Sequence, residues 1–257
     1  MNVLSLHNLS EIPHIQHAVF SRKGGCSEGP YQSLNLSLNS GDDKERVRKN
    51  RKKVSAYMNT TCLAFLKQVH GHTVWTVDRE MLSRQTAELF VGAGDAMITN
   101  LPGVALMILV ADCQAVLLAD PVQKVIANVH VGWRGNVKEI IPRTIAAMVD
   151  GFGCNPADLR AGISPSLGPC CAEFVNYKSE IPRKYWHYKD SRHRFDLWAI
   201  SRAQLLSKGL LPENVHTSGI CTRCRTDAYY SYRASKVTGR FAALIQLNET
   251  HPKTGGK

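Results

Sequence analysis

Val104-Ala105-Leu106-Met107-Ile108-Leu109-Val110, followed at once by Ala111-Asp112-Cys113, is the stretch on which the reading of the chain turns. The run is apolar throughout, shows no alternation, and stops abruptly at a polar pair. It is far short of the roughly 20 residues that a membrane-spanning helix needs, and its composition suits a strand buried on both faces.

Working outward, short runs rich in Val, Ile and Leu recur between turn residues at 18–20, 63–69, 73–77, 96–98, 115–118, 125–131 and 241–247, and these also read as strands. Helical spacing is clearest over 137–149, where Ile140, Ile141, Ile145, Met148 and Val149 share a stripe and Gly151 stands where a C-cap glycine belongs. Pro142 lies inside that stripe and predicts a kink or a later start. Asp196 is a good N-cap for a second helix that runs through Ile200 and Leu205 to a stop at Gly209. No linker, low-complexity tract or repeat divides the 257 residues. The expectation is one α+β (mixed α/β) domain over 1–257, with mixed β-sheets flanked by helices and a frayed tail after residue 250.

Hydrophobic residues make up 44% of the chain and charged residues 21%, which excludes a disordered or fibrous protein. No apolar run is long enough for a membrane span, and the N-terminus lacks the regions of a signal peptide, so the expected compartment is the cytoplasm. Eight cysteines then suit metal ligation or catalysis better than a disulfide framework. The net charge of +11 raises nucleic acid as a partner. Its densest part, 44–53, also places Val47, Val54 and Met58 at helical spacing with Arg51 among them. A surface helix with a solvated basic face is the preferred reading, and a nucleic-acid partner is not expected.

Three segments share one design, an apolar strand that ends in a potentially ligating residue. They are Phe65-Leu66-Lys67-Gln68-Val69-His70-Gly71, Leu109-Val110-Ala111-Asp112-Cys113 and Ala127-Asn128-Val129-His130-Val131-Gly132-Trp133-Arg134-Gly135. Strand ends hold side chains rigidly while adjoining loops admit a substrate, so a sheet can bring His70, Cys113 and His130 together as a metal site at strand ends. Two imidazoles and a thiolate suit Zn²⁺, and three protein ligands leave a fourth position open, as catalytic zinc sites do. The same donors tolerate Cu²⁺. Two other uses of cysteine compete. Cys221-Thr222-Arg223-Cys224 has the spacing of half a structural zinc site, but Cys170 and Cys171 are adjacent rather than spaced. Cys113 beside an imidazole could also act as a hydrolase nucleophile that needs no metal.

Further motifs run in order through almost the whole chain. They begin with Phe20-Ser21-Arg22-Lys23-Gly24-Gly25-Cys26-Ser27, Gly29-Pro30-Tyr31-Gln32-Ser33-Leu34-Asn35-Leu36, Gly41-Asp42-Asp43 and Asn50-Arg51. They continue through Gln68-Val69-His70-Gly71, Gly94-Asp95-Ala96, Ala111-Asp112-Cys113, the His130 segment and Gly168-Pro169-Cys170-Cys171, and close with Cys221-Thr222, Tyr230-Ser231-Tyr232-Arg233 and Thr238-Gly239-Arg240. In these residues the chain resembles the laccase-domain family of so-called polyphenol oxidases, now regarded as purine nucleoside phosphorylases, the YfiH-like proteins. The resemblance implies that His70, Cys113 and His130 are zinc ligands in a cleft of a single mixed α/β domain. It also implies phosphorolysis of adenosine, inosine or methylthioadenosine to a free base and a ribose phosphate, with adenosine deaminase activity beside it. The older family name implies copper-dependent oxidation of phenols instead, but a multicopper oxidase needs many His ligands and the chain has ten His in all. Val131, where alanine is common, and Ala172, where an aromatic is usual, depart from the pattern and bear on substrate preference.

Phosphorolysis needs a cationic grip on phosphate. Arginine forks match phosphate bidentately, which makes Arg51, Arg134 and Arg233 candidates, while Asn35 is a candidate for a ribose hydroxyl or a base edge. Asp112, next to the proposed thiolate, is a candidate catalytic group, either a carrier of protons or the partner of a ligand histidine; capping the following turn is its ordinary alternative. Arg134 has a structural alternative too, stacked on Trp133. Cys170 and Cys171 read as buried core residues. The expected partners are a small-molecule nucleoside and phosphate, with no membrane, and the expected assembly is a monomer or small homo-oligomer.

Overall fold

Each strand-like run in the sequence forms a strand, and the layering explains why so many are apolar on both faces. The computed structural model describes residues 1–83 and 87–248, and so the expectation for the tail beyond 250 lies outside the described residues. In chain order the strands are β1 (Val3–Leu4), β2 (Ile15–Phe20), β3 (Cys62–Lys67), β4 (Val74–Thr76), β5 (Glu88–Ala93), β6 (Ala96–Thr99), β7 (Val104–Val110), β8 (Gln114–Asp120), β9 (Val125–Val131), β10 (Arg160–Ile163), β11 (Val215–Thr217) and β12 (Phe241–Leu247). The helices are α1 (His7–Ser10), α2 (Lys44–Met58), α3 (Arg79–Ser83), α4 (Trp133–Val137), α5 (Ile140–Phe152), α6 (Tyr177–Glu180) and α7 (Leu197–Ser207).

Among the described residues two six-stranded mixed sheets result, ordered β1-β2-β12-β7-β3-β5 and β11-β10-β8-β9-β6-β4. Their inner faces pack on each other. In β7, Leu106 and Ile108 point between the sheets while Ala105 and Met107 meet Val54 and Met58 of α2. In β8, Ala115, Leu117 and Ala119 point inward while Val116 and Leu118 meet Ile141, Ile145 and Met148 of α5 and Leu205 of α7. The order of layers is helix, sheet, sheet, helix, so a central strand has no solvated face and no polar alternation. Truncating Ile145 or Met148, both essentially solvent-free, to alanine costs about 2–5 kcal/mol.

The helices show where local chemistry wins over the apolar stripe. Glu139, left-handed at φ 58°, separates α4 from α5, so the stripe begins at Ile140 rather than 137. Pro142 is then the third residue of α5, in the first turn, where an N–H has no intrahelical partner to lose. The C-cap is Gly153 at φ 68°, and Gly151 lies inside the helix. For α7, Asp196 accepts from the Ala199 amide at 2.9 Å, and Gly209 at φ 96° follows the last turn. In α2, Val47, Arg51, Val54 and Met58 are buried while Lys44, Lys49, Lys52 and Lys53 are exposed, the solvated basic face read from the sequence. Among the described residues no helix is long and apolar enough to cross a membrane.

The topology also decides which strand ends meet. β3 and β7 run parallel, so both finish at the same end of the first sheet. The chain then crosses through residues 111–113 into β8 of the second sheet. The start of β8 pairs with the end of β9, Gln114 opposite Val131 and Ala115 opposite His130. The exits of three strands are gathered at one end of the sandwich.

Candidate functional site

Alternation along β9 puts Ile126, Asn128 and His130 on the inner face. Asn128 Nδ2 donates to the carbonyls of Leu106 at 2.8 Å and Ala243 at 2.9 Å, joining the two sheets, and His130 follows at the open end. His70 stands on the turn after β3. Just before it, Gln68 donates to the Leu109 carbonyl and accepts from the Leu109 amide, at 2.8 and 2.9 Å, which lashes the exit of β3 to β7. His70 itself is left-handed at φ 56°, a conformation unfavourable for a side chain with a Cβ. Asp95 holds it there: its carboxylate accepts from the amides of His70 at 2.9 Å and Gly71 at 2.6 Å. The same carboxylate bonds His130 Nδ1 at 2.8 Å, which leaves His130 Nε2 for the site.

The donor atoms of His70, Cys113 and His130 all lie within 4.8 Å of one another. Cys113 Sγ is 3.8 Å from His70 Nε2, and the two rings meet edge to face with centroids 4.7 Å apart. A tetrahedral zinc with its usual bond lengths would place a sulfur and a nitrogen ligand about 3.6 Å apart. His130 is buried, Cys113 half-buried and His70 exposed, so the cluster opens on one side. Gly132 makes room for it: an added Cβ would come within 3.0 Å of both Cys113 Sγ and His70 Cδ2.

Burial resists charge on both inner groups, yet each charges the other. The His130 imidazole brings the Cys113 thiol down to about 6 against its desolvation, and His70 assists. The Cys113 thiolate and the Asp95 carboxylate bring His130 up to about 9 against its own. Burial pushes Asp95 up, but its hydrogen bonds from His130 and Gly71 hold it below the ordinary carboxylate value.

A cavity of about 270 Å³ adjoins the cluster, close to the lower end of small-ligand pockets. His70, Asp112 and Cys113 line one part, Arg134 and Arg233 another, with Phe174 between them in sequence. A second basin of about 330 Å³ shares Arg134, Phe174, Arg233 and Lys236 with it. Arg134 lies over the Trp133 ring at 4.1 Å, and Arg233 Nη1 donates to the Glu173 carbonyl at 2.8 Å.

The structure does not bring the other two candidates to this cavity. Asn35 is buried in a loop, its Nδ2 bonded to Ser40 Oγ and Asp42 and its Oδ1 to the amides of Ser37 and Arg240. Arg51 is buried beneath α2, bonded to the Leu36 carbonyl and Glu88 and stacked on Phe65. Asp112 is in the wall, but its oxygens accept from Thr222 Oγ1 at 2.7 Å and the Arg233 amide at 2.6 Å. The carboxylate bonded to a candidate ligand histidine, His130, is Asp95 instead. Cys170 and Cys171 are not core residues: one is exposed and the other half-buried. Sequence reasoning gave no role to Asp95, Gln114, Phe174 or Lys236; the one available signal was Asp95 inside Gly94-Asp95-Ala96.

Residues 16–248 match the profile of a family described as multi-copper polyphenol oxidoreductase laccase. A protein of Bacteroides thetaiotaomicron named purine nucleoside phosphorylase is 33% identical, over 96% of this chain and 97% of its own. One of Deinococcus radiodurans with the same name is 35% identical, over 94% and 92%. The solved structure of a Neisseria meningitidis protein superposes with a TM-score of 0.83 at 29% identity, covering 97% of this chain and 100% of that one.

Proposed function

The chain belongs to the multi-copper polyphenol oxidoreductase laccase family, and from that membership we propose that it is a zinc-dependent purine nucleoside phosphorylase. It would convert adenosine, inosine or methylthioadenosine, with phosphate, into the free base and ribose 1-phosphate. One observation carries the reading: His70 and Cys113 of the His70–Cys113–His130 donor set line one cavity with two arginines, and His130 closes the set from behind. Relatives named purine nucleoside phosphorylase, matched over nearly their whole length, support it.

The donors fit the ion on their own chemistry, since two imidazoles and a thiolate at these separations suit borderline-soft zinc and the exposed side leaves a coordination position free. When bound, zinc supplies a Lewis acid with an open position, which also gives adenosine deamination a route as a companion activity. The remaining work falls to the chain itself. Arg134 and Arg233, with Lys236 beside them, bind phosphate through charge-assisted hydrogen bonds. Trp133, Phe174 and Tyr232 give the cavity an aromatic lining that suits a purine. Gln114 Oε1, buried in the cavity wall without a hydrogen-bond partner, is an acceptor for a ribose hydroxyl or an exocyclic amine. Asp112 serves by fixing the loop that carries Arg233.

Copper-dependent phenol oxidation is the reading carried by the family's description, but a multicopper centre needs more imidazoles than two. Among the described residues the one converging group of three or more donors that contains histidine has two. The test is to incubate pure protein with inosine or adenosine, with and without phosphate. Base release that requires phosphate is expected, together with zinc in protein purified without added copper. Base release indifferent to phosphate, or none, would overturn the reading.

A further inference from the structure

Away from the cavity, the sulfurs of Cys170, Cys171, Cys221 and Cys224 lie within 4.8 Å of one another. Cys224 Sγ is 3.6 Å from Cys170 Sγ and 3.6 Å from Cys171 Sγ. A disulfide needs about 2.05 Å, and all four are free thiols. A tetrahedral zinc with four sulfurs at its usual bond length has ligands about 3.8 Å apart. We propose that Cys170, Cys171, Cys221 and Cys224 form a second metal site, a tetrathiolate that holds one zinc ion for structural purposes.

The backbone is arranged as a tetrathiolate needs. Cys221 and Cys224 have the two-residue spacing of a zinc knuckle, and the Arg225 amide closes the turn on the Cys221 carbonyl at 3.0 Å. The adjacency of the other two cysteines is solved by a tight turn, in which the amides of both Cys171 and Ala172 donate to the Gly168 carbonyl. Both sulfurs thereby reach Cys224. The segments are registered before any metal binds: Ser166 bridges to Cys221, and the Thr222 amide donates to the Ser166 carbonyl at 2.9 Å. The Gly168 amide donates to Cys221 Sγ at 3.3 Å, the hydrogen bond that stabilises a thiolate ligand. Gly168 permits this approach, because a Cβ there would lie 3.0 Å from Cys221 Cβ and 2.8 Å from the Trp198 ring.

The site ties together two loops that reach the cavity. One carries Leu167 and Phe174, and the other continues to Tyr232 and Arg233. Hydrogen bonds already join the two loops to each other and to Asp112, and a zinc cross-link would fix them further, as a disulfide would. On binding, thiols still protonated release their protons to solvent.

The two metal sites fail separately, which makes the test direct. Protein expressed in zinc-supplemented medium is analysed for metal as wild type, Cys113→Ala and Cys224→Ser. About two zinc per wild-type chain and about one in each variant are expected. In Cys113→Ala, cobalt exchanged for zinc should show the intense thiolate charge-transfer and tetrahedral ligand-field bands of four sulfurs, and mercurial titration should release the ion as four thiols react. That titration uses the intact cluster, so the proposal stays testable if Cys224→Ser does not fold. It is overturned if Cys113→Ala holds no metal, if Cys224→Ser keeps the wild-type content, if iron replaces zinc, or if intact mass shows a disulfide among the four.

Discussion

Asp95 is buried, and one carboxylate serves two of the three donors: it orients the His130 ring and holds the His70 turn in its left-handed conformation. In Asp95→Asn the amide cannot accept from every donor now gathered there. Metal affinity should fall about 10- to 100-fold, as it does when the partner of a ligand histidine is lost, read by competition with a chromophoric chelator; unchanged affinity would show that the ligands need no such support. The role proposed for Arg233 bears on the substrate instead. Losing one charge-assisted contact of about 1.5–3 kcal/mol predicts that Arg233→Ala or Arg134→Ala raises the KM for phosphate roughly 10- to 100-fold, while an effect confined to the nucleoside would move the phosphate site elsewhere. His70, Cys113 and His130 were legible as strand-end donors because each ends an apolar run. Asp95 was not, since it reaches them across 25 and 35 residues of chain through a turn between strands, and no periodicity marks such a position.

The α2 helix separates two kinds of basic residue that composition lumps together. Lys52 and Lys53 are exposed, whereas Arg51 is 2% exposed and bonded to the Leu36 carbonyl and Glu88. Lys52→Glu with Lys53→Glu should change unfolding free energy by no more than about 0.5 kcal/mol, and Arg51→Ala should lower it by about 3 kcal/mol, with the KM for phosphate unmoved in both. Urea unfolding and phosphate titration check this, and a raised KM in Arg51→Ala alone, with folding intact, would restore it to the site. The strands most legible in the sequence were those buried on both faces: β7, β9 and β12 begin and end where their apolar runs do. Those missed are short or interrupted. β5 starts at Glu88 and contains Gly92, and β10 is Arg160-Ala161-Gly162-Ile163, where a Cβ on Gly162 would come within 2.5 Å of Leu6, just before α1, and 3.1 Å of Leu9 within it. Pro142 signalled a kink or a start later than the stripe, but the start at Ile140 itself was set by Glu139, whose left-handed backbone leaves no trace in an apolar pattern.

At the scale of the molecule, α1 and its N-cap residue Leu6 strap the sheets together, since the Leu6 amide donates to His17 Nε2 of the first sheet at 2.7 Å and Asn8 donates to the Ala161 carbonyl of the second. His17 must be neutral to accept that bond, and burial pushes its pKa down to about 4. Between pH 6.5 and 4 the unfolded chain binds a proton that the folded chain refuses. Stability is therefore intact above pH 6.5 and declines as pH falls through that window, by about 3 kcal/mol at most. Urea unfolding from pH 7 to 4 should show a steeper loss in wild type than in His17→Gln, and parallel slopes would assign the acid sensitivity elsewhere. The two sheets also share the proposed metal: His70 leaves the first, His130 belongs to the second, and Cys113 rides the crossing. Affinity for the ion then becomes a gauge of how the sheets are aligned, because a slip of about half an ångström spoils ligand geometry. Asn128→Ala removes two bonds between the sheets and no ligand, so it should cost about 1–3 kcal/mol of stability and weaken metal binding in the same protein. Anything that tightens or loosens this sandwich, wherever it acts, would be felt at the metal without entering the cavity.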